Sequence, residues 1–90
     1  MDNERKKIII GFKKAKSSLE KIITMTENGE YCVSIMQQNL AVIGLLKSAH
    51  HQLLDNHLHT CFKNAMASKN EAIKRKMIAE ITKVSKIANR

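Results

Sequence analysis

The chain has no proline and no tryptophan, three glycines, two cysteines, and only Phe12, Tyr31 and Phe62 as aromatics. Missing helix breakers, together with abundant Lys, Ile, Leu, Ala and Met, point to an all-α protein. No apolar run approaches the roughly 20 residues that span a bilayer, so no membrane partner is expected. The N-terminal MDNERKK precedes only three isoleucines before Gly11 and does not have the layout of a secretory signal. Two cysteines without an export signal suit a reducing cytoplasm. There is no Gly-rich phosphate loop and no Ser-His-Asp arrangement, so no enzyme is expected. Acidic residues are scarce: 8 Asp and Glu face 16 Lys and Arg, a formal net charge of +8. That balance favours a polyanionic partner, with DNA or RNA ahead of an anionic membrane.

What is present reads as one domain, 1–90. Hydrophobic content is 43%, ordinary for a folded protein. A chain of 90 residues buries a limited core alone, and self-association is the natural remedy. Three helices are expected, the middle one long. The first covers about 3–27, with Ile8, Phe12, Ala15, Leu19, Ile22 and Thr26 as its apolar stripe. Asn28-Gly29 ends it. The second covers about 30–67, with Val33, Met36, Leu40, Ile43, Ala49, Leu53, Leu58, Phe62 and Ala65 on its buried side. Gly44, in its middle, marks either a close helix approach or a bend. Ser68 and Glu71 have the spacing of a capping box at the start of the third helix. Ile73, Met77, Ile78, Ile81, Val84 and Ala88 form that helix's apolar face.

The chemistry concentrates in Cys32, His57 and Cys61. His57 and Cys61 are four apart on a helix and point from one face. A cysteine on an apolar face is commonly a small buried hydrophobe, but an i, i+4 His-Cys pair is a usable chelate. Two thiolates and an imidazole form a soft set suited to Cu(I) or Zn(II). Cys32 lies 29 residues before Cys61. On one continuous helix the two sulfurs would be roughly 40 Å apart, at about 1.5 Å per residue. A single chain then does not close the site, whereas two antiparallel chains do. His50, His51 and His59 face other directions and read as exposed or hydrogen-bonded histidines, with a weaker surface metal site as the alternative. Met25, Met36, Met66 and Met77 read as core filler.

Glu30-Tyr31-Cys32-Val33, then Met36-Gln37-Gln38 and Ala41-Val42, then Asn56-His57-Leu58-His59-Thr60-Cys61 resemble the copper-sensitive operon repressor family. The C-x24-H-x3-C spacing with Tyr31 before the first cysteine carries the resemblance, and the layout matches along nearly the whole chain. The resemblance implies an antiparallel homodimer built as a four-helix bundle, two dimers pairing into a tetramer. It implies a repressor that binds operator DNA in the apo state and releases it when Cu(I) binds Cys32 of one subunit with His57 and Cys61 of another. It also implies supporting roles for Tyr31 and for a third-helix glutamate. Met77 falls at the latter position without a gap, and a three-residue insertion brings Glu80 there. On the DNA side, two arginines of the family correspond to Gly11 and Ser48. Lys13, Lys14, Lys16 and Lys47 lie nearby and can serve as phosphate contacts, giving affinity more readily than base readout.

Other inducers remain open within the same fold. Zn(II), Ni(II) or cobalt are alternatives, although no histidine precedes residue 50 to supply the extra ligands of nickel and cobalt sensors. Formaldehyde-sensing relatives use an N-terminal proline, which is absent. Reactive sulfur needs only the two thiols. A different class of function is a copper-binding protein without specific DNA binding, which the Gly11 and Ser48 departures motivate.

Overall fold

A computed structural model describes residues 3–88; the outermost two residues at each end of the 1–90 span lie outside the described residues. The described residues form helices joined by short turns at 28–31 and 68–70, without strands. Helix α1 covers Asn3–Glu27, α2 covers Cys32–His57, a π-helical turn covers Leu58–Phe62, α3 covers Lys63–Ala67 and α4 covers Glu71–Ala88. With α2, the π turn and α3 taken as one continuous segment, these are the three helices expected. The chain divides into two compact units, one up to Leu54 and one from Asp55 onward.

In the first unit, α1 stops where the sequence predicts. Gly29 adopts φ 65°. The Glu30 amide donates to the Met25 carbonyl at 3.0 Å, and the Gly29 amide donates to the Thr26 carbonyl at 3.1 Å. These are the paired bonds of a Schellman ending, which needs a left-handed residue at the Gly29 position. The Tyr31 carbonyl then accepts from the Ser34 and Ile35 amides at 3.0 and 3.2 Å, so α2 starts at Cys32 rather than Glu30.

α1 and α2 approach closely at Gly11, where an added Cβ would lie 3.7 Å from the Ala49 Cβ. Ala49 is only 1% exposed. The buried positions are Ile8, Ala15 and Met25 on α1 with Val42 and Ala49 on α2. Gly11, Ser18 and Ile22 are half-buried between them. The stripe expected on α1 is therefore correct at Ile8, Ala15 and Ile22 and displaced at Phe12, Leu19 and Thr26, which are exposed. On α2 the inward positions are Val42 and Ala49 with Ile35, Gln38 and Leu45 half-buried. Val33, Met36, Leu40 and Ile43, expected on the buried side, are instead exposed within the protomer. The physical reason is size: glycine, alanine and serine allow the backbones to approach, and close packing then turns the larger side chains outward. α2 passes through Gly44 without a break, and nothing lies within 4 Å of the Cβ position there. The departure from α geometry falls instead at Leu58–Phe62.

In the second unit Ala65 is buried. The Ser68 hydroxyl and amide both donate to the Ala65 carbonyl, at 2.7 and 3.2 Å, closing α3. The capping box expected from Ser68 and Glu71 does not form. Asn70 is the N-cap: its Oδ1 accepts from the Ile73 amide at 3.2 Å, its carbonyl accepts from the Lys74 amide at 3.2 Å, and Glu71 pairs with Lys74 at 3.3 Å. Ser68 is already committed to the preceding helix, so the start moves two residues on. Asn70→Ala should cost about 1 kcal/mol. Thermal denaturation of Asn70→Ala beside Glu71→Ala checks this: the cap variant should lose more than the exposed i, i+3 ion pair.

Among the described residues, no helix is long and apolar enough to cross a membrane.

Candidate metal centre and nucleic-acid face

Cys32 is the first residue of α2 and His57 its last. Both cysteines are free thiols and exposed. His57 is half-buried. Cys61 sits inside the π turn that follows His57, where the Lys63 amide donates both to the Leu58 carbonyl five residues back and to the Thr60 carbonyl three back. His57 and Cys61 are thus adjacent on successive turns of one segment. Among the described residues, no three His, Cys, Asp or Glu side chains gather into a set that could hold a metal ion. The donor chemistry fits a soft monovalent or d¹⁰ cation; the third donor is not supplied beside the pair.

The surroundings of the pair are polar. The Thr60 hydroxyl donates to the Asn56 carbonyl at 2.7 Å and lies 3.7 Å from the Cys61 Sγ. His59 is 74% exposed and places Nδ1 2.8 Å from the Asp55 carbonyl and 3.4 Å from the Asp55 Oδ1. A carbonyl oxygen only accepts, so His59 carries a proton on Nδ1. Asp55 therefore engages His59 rather than His57. His50 is half-buried and His51 exposed, their rings 6.1 Å apart with 63° between the planes. Tyr31 is 73% exposed, while its carbonyl starts α2. Glu80 is exposed on α4 and Met77 is half-buried.

Lys13, Lys14, Lys16 and Lys47 are all exposed. Lys13 and Lys14 line a shallow hollow with Ile10, Ser17, Ser18 and Leu45. Lys16 and Lys47 are not among its lining residues. Ser48 is exposed, whereas Gly11 is half-buried against Ala49. Position 11 is thus used for helix packing in this chain, which spacing alone did not indicate. The π turn and its side-chain hydrogen bonds were also missed. The available signal was a His and a Thr in tandem, each able to bond the carbonyl four residues back.

A continuous helical segment carries a thiol at its start and a His-Cys pair beyond its middle, on an all-helical chain with exposed lysines. The chain belongs to the metal-sensitive transcriptional repressor family, whose model matches residues 4–87. That is a family of repressors, not of enzymes. It is similar to the copper-sensing transcriptional repressor CsoR of Mycobacterium ulcerans (strain Agy99), 44% identical over 54 residues, which cover 60% of this chain and 46% of that protein. The CsoR of Mycobacterium tuberculosis (strain ATCC 25618 / H37Rv) is 41% identical over 54 residues, 60% of this chain and 45% of that one. The CsoR of Bacillus subtilis (strain 168) is 34% identical over 65 residues, 72% of this chain and 64% of that one. The matched stretch thus spans about half the length of the mycobacterial relatives.

Proposed function

We propose that this chain is a copper-responsive repressor that holds operator DNA in its metal-free state and lets it go when Cu(I) binds between two subunits. Cys32 from one subunit and His57 with Cys61 from another are the donors. The observation that carries the reading is the position of Cys32 and His57 at opposite ends of a 26-residue helix, with both thiols free and exposed. An antiparallel partner brings the opposite ends together. Bound Cu(I) supplies a soft centre linking the two subunits, and Zn(II) or Ni(II) are the competing metals. Tyr31 and Glu80 are the side chains assigned to orient the His57 ring through its other nitrogen.

The protein acts as a cytoplasmic homodimer that pairs into a tetramer. Support comes from the two outward apolar stripes: Ile9, Phe12, Leu19 and Ile23 on α1, and Val33, Met36, Leu40 and Ile43 on α2. Each follows helical spacing, and a second copy covers them as a four-helix bundle. The test is a gel shift with the chain's own upstream region. DNA bound without metal and released by stoichiometric Cu(I) supports the reading; binding unchanged at saturating Cu(I) sinks it.

Lys13, Lys14, Lys16 and Lys47 contact phosphates. Lys13→Gln with Lys14→Gln should lower affinity alike for all sequences and reduce the salt slope of log K by about two for each subunit in contact with the DNA, one per lost contact. Fluorescence anisotropy across a salt series checks this; a slope equal to that of wild type removes these lysines from the interface.

Two further readings have observations behind them. Exposure of both thiols favours reactive sulfur as inducer, through a cross-link between Cys32 and Cys61 of different subunits. Mass spectrometry after polysulfide treatment decides: no inter-subunit cross-link excludes it. The packing of Gly11 on Ala49 favours a copper-binding protein without specific DNA recognition. A nanomolar, sequence-selective DNA complex at physiological salt excludes that one.

A further inference from the structure

The helix leaves α geometry at the ligand pair and nowhere else among the described residues. Its π turn spans Leu58–Phe62, directly after His57 and around Cys61. Such a turn is costly relative to continued α-helix and is maintained only where local interactions favour it. The candidates lie in the sequence Asp55-Asn56-His57-Leu58-His59-Thr60-Cys61. His59 Nδ1–H donates to the Asp55 carbonyl at 2.8 Å, and the Thr60 hydroxyl donates to the next carbonyl, Asn56, at 2.7 Å.

A side chain bonded to the carbonyl four residues back competes with the amide that would bond it in an α-helix, and bends or loosens the turn. One such bond is not enough. Thr24, Thr26 and Thr82 bond the carbonyls of Glu20, Ile22 and Ile78 inside regular α-helix. At residues 55–60 two consecutive carbonyls are drawn to side chains, and the register loosens just beyond them.

The consequence falls on His57 and Cys61. At about 3.6 residues per turn, side chains four apart are offset by about 40° around an α-helix. A π turn holds more residues, which brings a pair four apart closer to superposition along the axis. We infer that His59 and Thr60 are positioning residues, holding the π turn that aligns His57 with Cys61 as two donors to one metal. The assignment rests on the metal reading above. It gives the His59 and Thr60 side chains a task other than binding the metal.

The test compares wild type, the double variant His59→Phe with Thr60→Val, and the conservative single variant Thr60→Ser, which keeps a donor for each of the two carbonyls. In the metal-free protein, NMR scalar coupling across hydrogen bonds reads the turn directly. Wild type should couple the Lys63 amide to the Leu58 carbonyl, and His59→Phe/Thr60→Val should shift that coupling to the His59 carbonyl. Anaerobic Cu(I) titration against a competing chelator should then show affinity lowered about 10- to 100-fold, the range for a lost orienting partner. X-ray absorption should show a weakened Cu–N contribution. Thr60→Ser, which keeps both side-chain bonds, should retain the coupling and most of the affinity. A double variant that keeps the Lys63–Leu58 coupling overturns the inference, as does one that loses it with Cu(I) affinity and spectrum unchanged. Failure of the underlying metal reading is read separately, as Cu(I) affinity in the otherwise native protein that is indifferent to His57→Ala.

Discussion

Cys61→Ser is expected to weaken Cu(I) binding by more than about 100-fold, beyond what loss of an orienting partner costs. The soft thiolate has no substitute at its position, because a serine hydroxyl is a poor donor to Cu(I). His59, two residues away, is held by Asp55 and faces elsewhere. The protein should remain folded, since Cys61 is exposed and its sulfur takes a weak 3.7 Å contact from the Thr60 hydroxyl. Surface changes of this kind usually move stability by no more than about 0.5 kcal/mol. Chelator competition measures the affinity, and a melting curve separates loss of site from loss of fold. Retention of tight binding would remove Cys61 from the ligand set.

Leu40→Asp is expected to break the assembly and the metal site together. Leu40 is 66% exposed in the protomer, so the chain itself loses little packing. Against a second copy, the same position lies within the stripe Val33, Met36, Leu40 and Ile43. An unpaired carboxylate buried there costs about 3–5 kcal/mol, enough to weaken dimerisation by more than about 100-fold. Because the donors come from two chains, Cu(I) affinity should fall with the dimer although no ligand has changed. Sedimentation equilibrium alongside the chelator titration checks both. An unchanged oligomer with Leu40→Asp would place the subunit interface elsewhere.

Much of this organisation is legible in the residues themselves. Asn28-Gly29 announced a helix ending that the structure reproduces bond for bond, because a left-handed C-cap position narrows residue choice severely. The helical class and the order of the helices followed from composition and spacing. Which apolar face turns inward did not follow. Periodicity finds stripes, but Gly11 and Ala49 decide by close approach which stripe the partner helix covers. Residues such as Phe12 and Leu40 score as core because they are large, and they are left outside for the same reason. The start of α4 was misplaced because Ser68 and Asn70 are both good caps, and only the structure shows Ser68 spent on Ala65. At the candidate site, the His57–Cys61 pairing was visible from spacing. The π turn was not, since it depends on competition for carbonyl oxygens rather than on any apolar pattern.

If each metal site takes donors from two chains, mixing two differently disabled subunits should rebuild it. Chains carrying Cys32→Ser and chains carrying Cys61→Ser are each expected to bind Cu(I) weakly. Unfolded together and refolded, the mixed dimers contain one site with Cys32 from the second chain and His57 with Cys61 from the first. Tight binding should return at one Cu(I) per mixed dimer, measured anaerobically against a competing chelator. Mixed dimers that form and still bind no tighter than either parent would contradict it.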